Sequence, residues 1–377
     1  IQMHHHMRVR RARRASLCHQ HSATHAQMNH HLLARVERTQ QILSAPSNMR
    51  DAHARQAVDQ RFFAGASHRS FAANFNTANA LDKSKGLPAW PSKVQKIIFG
   101  SCIDQNKAQP IWQSILAAKP DLFIFGGDNV YASNQPWQLQ NLKTAYATQA
   151  AQPGFAALRA SVPHMAIWDD HDMGLNDGGV EFPHKQSAKD EFMDFWRLPV
   201  EDPRRTREGL YHAHILGAVG QRVQVILLDT RWFRSKLRVT DQRNAPGKER
   251  YVPDTDPQKT MLGEMQWQWL EAQLKIPAEI RLIVSGVQVI VEGHGWEGWR
   301  NFPLEQEKLK QLILKTGAKG VVLLSGDRHI GAIYKSPSLG DMRQALGGVK
   351  AILDMEMDLH VELCAGWGLS REDLEKA

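Results

Sequence analysis

Four short apolar runs each break off into a glycine turn or a knot of acids, and that recurrence leaves the chain few folds to choose from. Ile97-Ile98-Phe99-Gly100 leads into Ser101-Cys102, and Leu122-Phe123-Ile124-Phe125 leads into Gly126-Gly127-Asp128-Asn129-Val130-Tyr131. Met165-Ala166-Ile167-Trp168 runs into Asp169-Asp170-His171-Asp172, and Val321-Val322-Leu323-Leu324 into Ser325-Gly326-Asp327-Arg328-His329. Between the first two runs, residues 110–119 carry the helical spacing Ile111, Ile115, Leu116 behind an opening proline. Strand, helix, strand is a βαβ unit, and such sheets present ligands beyond the carboxyl ends of their strands.

From Val94 onward strands and helices alternate, which predicts an α/β domain. The pattern places helices at 138–149, from Ser187 onward, at 262–274 and at 303–315, the last stopped by Gly317. The helix at Ser187 reads as capped by that serine, with acids in its first turn and Phe192, Phe195 and Trp196 turned inward. Strands are expected at 222–229 and 280–291, and 330–334 reads as a partner strand to the last ligand-bearing one. Residues 237–257, charged and broken by prolines, form a surface loop. Residues 349–364 are patterned as a helix, with no further strand expected.

Three sections follow: a basic, His/Arg-rich extension and linker at 1–93 read as disordered, a catalytic domain at 94–340, and a short helical tail at 341–377. The net charge of +8 belongs to one end. Residues 1–80 hold eleven arginines, no lysine and three acids, and the remainder is neutral. Nucleic-acid contact is therefore an expectation for the N-terminal arm alone, with the α/β domain as an inactive scaffold in that reading. No apolar stretch follows the cluster Arg8–Arg14, so no export signal is read, and the cytoplasm stands as the default. No apolar run approaches the roughly 20 residues of a membrane span. Three widely spaced cysteines do not indicate a disulfide framework.

Carboxylate, imidazole, thiol and phenol gathered at strand tips are what a two-metal phosphoesterase site requires. Two ions activate a water and clamp the phosphoryl oxygens. Asp128 is the candidate shared carboxylate, with the glycines before it allowing close approach. Cys102, Tyr131 and His329 suit one ion, and Asp170 and Asp327 suit the other. His171, flanked by acids, suits a proton donor to the leaving group or a charge partner for the phosphate. Each also has a plainer reading: Cys102 as core, Asp128 as turn chemistry, Tyr131 as packing. Four polar residues after an apolar strand, at 169–172, gain nothing from packing, and the end at 326–329 repeats the pattern. Asp169 either binds, orients His171 or caps the following turn. Arg231, Arg234 and Arg328 are candidate phosphate holders, against the surface role most arginines have. His294 either binds the second ion, lines the mouth of the site or is a loop histidine.

These stretches, together with Leu228-Asp229-Thr230-Arg231, Leu262-Gly263-Glu264 and Trp296-Glu297-Gly298-Trp299, resemble the PhoD-like alkaline phosphatase D family of calcineurin-like metallophosphoesterases. The resemblance runs over about residues 94–335. It implies a four-layer αββα sandwich with mixed sheets, holding Fe3+ and a second ion such as Ca2+. The implied substrate is a small-molecule or polymeric phosphate mono- or diester. By the same likeness Cys102 stands where the superfamily has its first aspartate, Asp128 bridges, Tyr131 is the iron-binding tyrosine, and Asp170 takes an asparagine ligand's place. His171 would assist leaving-group departure, and Asp327 and His329 would replace two histidines. The N-terminal β-sandwich of many relatives finds no match in residues 1–93. Residues 354–360 and 368–375 resemble a fragment of the helical thiaminase II (TenA/PqqC-like) family, too short to build that bundle, so no thiaminase activity follows.

Overall fold

The computed structural model describes residues 86–329, and the backbone of one further strand at His360–Cys364. The basic extension, the partner strand expected at 330–334 and most of the tail lie outside the described residues. Within them the chain alternates as β1 (Lys96–Gly100), α1 (Ile111–Ala118), β2 (Leu122–Gly126), α2 (Leu139–Ala151), α3 (Pro153–Ser161), β3 (His164–Ile167), α4 (Asp170–Met173) and α5 (Lys185–Phe195). It continues as β4 (His212–Leu216), β5 (Val223–Leu227), α6 (Gly263–Leu274), β6 (Ile280–Ser285), α7 (Pro303–Thr316), β7 (Val321–Ser325) and β8 (His360–Cys364).

Two four-stranded sheets result, in the orders β3-β2-β1-β8 and β4-β5-β6-β7. The first is parallel throughout, with Ile97 opposite Leu122 and Phe123 opposite His164. The second is mixed, since β4 runs antiparallel to β5 while β5, β6 and β7 are parallel. So the expectation of mixed sheets holds for one sheet only. Every residue of β2, β5 and β6 is buried, as expected of strands covered on both faces.

Strand alternation divides the second sheet between two cores. Val223, Val225, Leu227, Leu282 and Val284 pack in one cluster with Ile97, Phe99 and Ile124 of the first sheet. Their neighbours Ile226, Leu228 and Ile283 point the other way, onto Trp267, Leu270, Leu309 and Leu312 of α6 and α7. On the far side of the first sheet, Trp112 of α1 meets Phe123 and Phe125 at ring separations of 5.9 and 6.3 Å. The layers are therefore helix, sheet, sheet, helix.

Three expectations are corrected. Residues 360–364 form strand β8 beside β1, Lys96 opposite His360 and Gly100 opposite Cys364, where a helix was expected. A five-residue segment with apolar residues at alternate positions, Leu363 also standing four residues from Leu359, does not decide its own period, and the open edge of β1 decides it. Helix α5 starts at Lys185, ahead of Ser187, and His184 at its N-cap gives no side-chain bond, so the serine is no cap. The strand expected at 280–291 ends at Ser285. The helix at 303–315 does close on Gly317, in the left-handed region at φ 65°.

Candidate metal centre

The ligand-type residues follow within five positions of strand ends, and the backbone at four of them is bent to present them. Cys102 (φ 61°) follows β1, Asp128 (φ 50°) follows β2, and Asp327 (φ 71°) and His329 (φ 53°) follow β7. Left-handed backbone at residues with a Cβ costs on the order of 1–2 kcal/mol each and persists where the surroundings enforce it. Gly127 (φ 109°) permits the turn before Asp128, for a Cβ there would stand 2.6 Å from Asp169 Cβ. Cys102 N donates to Gly127 O at 3.0 Å, which ties the first two tips together.

The third tip is locked on by Asp172. Its carboxylate accepts from Asn129 N at 3.0 and 3.1 Å, from Asn129 Nδ2 at 3.0 Å, from Asp169 N at 3.0 Å and from Tyr146 OH at 3.2 Å. Burial raises the Asp172 carboxyl to about 7 even against these donors. His171 N in turn donates to Asp128 Oδ1 at 3.2 Å.

Three sets of side chains are close enough to share an ion: Cys102, Asp128 and His329; Asp128, Asp170 and His171; and Asp170, Asp177 and Glu297. Asp128 belongs to the first two. Cys102 Sγ lies 3.7 Å from Asp128 Oδ2, and Tyr131 OH lies 2.8 Å from His329 Nε2. Asp128, Asp170, His171, Asp327, Arg328 and His329 line one cavity of about 180 Å3, together with Asn176, Asp177, Arg250, Trp296 and Glu297.

Charge is unevenly compensated around this cavity. Burial and then Asp170 push the Asp128 carboxyl well above the carboxylate range, and burial and then Glu297 do the same to Asp327. Burial and the Asp128 charge also raise the Cys102 thiol and the Tyr131 phenol. Asp170 differs: burial alone would raise it, but Arg231, His171 and the Asp177 N–H (2.6 Å to Oδ2) hold it low. Asp170 Oδ1 and Asp327 Oδ2 are buried without a hydrogen-bond partner. Partnerless carboxylate oxygens, a thiol, a phenol and imidazoles, with no ion pair to Asp128 or Asp327 among the described residues, fit metal ions: a softer, mixed donor set on one side and an oxygen-rich one on the other.

The arginines divide. Arg231, expected to hold phosphate, is fully buried and does not line the cavity. Its Nε meets Asp169 at 2.5 Å, its Nη1 meets Glu297 at 2.8 Å, and its Nη2 lies 3.7 Å from Asp170. Arg234 is buried against the same Glu297 at 3.2 Å, and Asp169 is thereby a partner of Arg231 as well as the residue opening α4. Arg328 does line the cavity, its guanidinium 4.9 Å from the Trp296 ring centre. His294 stands outside the lining, its nitrogens engaged with Gln288 Oε1 and Trp296 N, each at 3.2 Å. Asp177 and Glu297 escaped the sequence reading as site residues. Asp177 accepts from Arg250 at 2.7 Å and Tyr251 at 2.8 Å, and its sequence context, Asn176-Asp177-Gly178-Gly179, carries only the signal of a loop.

A family model described as PhoD-like phosphatase matches residues 97–353. Alkaline phosphatase D of Bacillus subtilis (strain 168) is 22% identical over 298 residues, which span 68% of this chain and 50% of that protein. A solved structure described as "Structure of PhoD" superposes with a TM-score of 0.53 at 20% identity, over 64% of this chain and 53% of the other. The chain thus spans about half the length of these relatives, and the structural likeness is one of fold.

Proposed function

The chain belongs to the PhoD-like phosphatase family, and from that premise we propose that it hydrolyses phosphate esters, mono- or diesters, at the cavity between the strand tips. The observation that carries this reading is the sharing of Asp128 by two ligand sets. Cys102, Tyr131 and His329 with Asp128 would hold an Fe3+-like ion, and Asp170 and Asp327 with Asp128 a second ion such as Ca2+. When bound, such a pair supplies Lewis-acid activation of water and neutralises charge on the phosphoryl group.

The chain's own residues do the rest. Arg328, carrying no ion pair among the described residues, offers its guanidinium to a phosphate oxygen. Trp296 supports it from the side. His171 gives a proton to the oxygen that leaves. Arg231 holds Asp169 behind the cavity and Glu297 in its wall, and keeps Asp170 ionised. Turnover of a nitrophenyl phosphate monoester and of the corresponding diester, with elemental analysis of the same preparation, tests the reading. Hydrolysis accompanied by bound metal is expected; a metal-loaded chain that cleaves neither ester would contradict it.

A further inference from the structure

Behind the His171 imidazole stands a contact that the proposed roles leave unused. Ser133 Oγ lies 2.6 Å from His171 Nδ1. The Tyr131 ring packs on the same imidazole with centroids 4.4 Å apart, and Ala132 N lies 3.4 Å from His171 O. Residues 131–133 are themselves fixed. Gln105 Nε2 donates to Tyr131 O at 3.0 Å, Tyr131 N donates to Gln105 Oε1 at 2.9 Å, and Gln105 is buried. An amide bonded in both directions to one backbone position holds that position along the chain and across it. The hydroxyl two residues on is thus delivered to the imidazole from a rigid base.

We propose that Ser133 is a positioning residue for His171, accepting the Nδ1–H and thereby fixing both the ring orientation and the tautomer. An imidazole held at one nitrogen has its other nitrogen defined. With Nδ1–H given to Ser133, Nε2 is the atom that serves the reaction. Its N–H bond breaks as the P–O bond to the leaving group breaks, and the proton ends on the departing oxygen. The imidazole is left neutral with its proton on Nδ1, and water restores the Nε2 proton before the next turnover. This inference rests on the hydrolytic role proposed for His171.

The test uses the full chain and two readouts. In metal-free protein labelled with 15N at histidine, the His171 ring nitrogens are expected to report the Nδ1–H tautomer in the native chain and in Ser133→Thr. Ser133→Ala should move them toward the Nε2–H form that free imidazole prefers. In the metal-loaded protein, the ratio of turnover on an alkyl phosphate to turnover on a nitrophenyl phosphate should fall about tenfold in Ser133→Ala, because a poor leaving group depends more on the proton. Ser133→Thr should keep the native ratio, and Ser133→Ala should add nothing in a His171→Ala background. A His171 signal identical in native and Ser133→Ala chains, or equal losses on both esters, would overturn the proposal. A native chain without hydrolysis would sink the proposed function, while the nitrogen signals would still decide the role of Ser133.

Discussion

The two sides of the cavity treat their buried acids in opposite ways. Toward β6 and the 290s, Asp169, Asp170 and Glu297 face Arg231 and Arg234, and Asp177 faces Arg250, so each acid has a cation of the chain's own. Toward β1, β2 and β7, Asp128 and Asp327 have no ion pair among the described residues, and Cys102 and Tyr131 add ionisable groups to the same space. Folding that buries charge without a partner costs several kcal/mol per ion. Compensation on one side and its absence on the other support our reading that the uncompensated side takes ligands brought from outside.

If that contrast is right, the largest effect comes from its shared member. Asp128→Asn keeps the shape but removes the carboxylate shared by two of the three ligand sets, and turnover of nitrophenyl phosphate should fall about a thousandfold or more, alongside lost metal. On the compensated side the loss should be of stability. Arg231→Met leaves Asp169 buried without its cation and Glu297 with Arg234 alone, and denaturant unfolding should show about 3–5 kcal/mol of destabilisation.

The contrast also predicts a pH dependence for metal-free protein. Asp172 binds its proton up to about 7 in the fold, against 3.8 for the ordinary side chain. Between those values the folded state holds more protons than the unfolded one. Stability is therefore full below that window and declines as pH rises through it, by up to about 1.4 kcal/mol per pH unit for one proton. Asp128 and Asp327, raised in the same direction, add to the slope. His164 and His212, lowered by burial, slope the other way, so the readout is the difference between native and Asp172→Asn melts in chelator. The native chain's advantage should shrink from pH 4 to 7, and a constant difference would break the comparison. Smallest is Arg328→Gln, at about tenfold in kcat/KM on the monoester, with melting unchanged because no acid among the described residues is ion-paired to it.

What could be read from residues alone follows the same division. Strand tips announce themselves, since an apolar run that stops at Gly-Gly-Asp or Asp-Asp-His has no packing reason to do so. Cys102, Asp128, Asp170, Asp327 and His329 were legible on that ground, as was α7 with its terminal glycine. The compensating side was not. Nothing local tells Arg231 in Asp-Thr-Arg from a phosphate holder, because its partners lie 62 and 66 residues away in sequence. Glu297 gains its place through Arg231 and Arg234, and Asp177 through Arg250, 73 residues away in sequence. Strand β4, with His212, His214 and Ile215 only half-buried, lacks the apolar run that marked the others. Helix α3 follows α2 with only Gln152 between them, and Pro153 at its start hides the boundary. The strand β8 was misread because its conformation is set by the edge it joins.

The uncompensated side of the cavity is tested most directly by counting ions. Elemental analysis of the purified chain should find two metal equivalents per molecule, iron together with a divalent ion such as calcium. In Asp128→Asn both should fall. A chain that hydrolyses phosphate esters with no bound metal, or an Asp128→Asn variant that keeps both equivalents, would contradict the account.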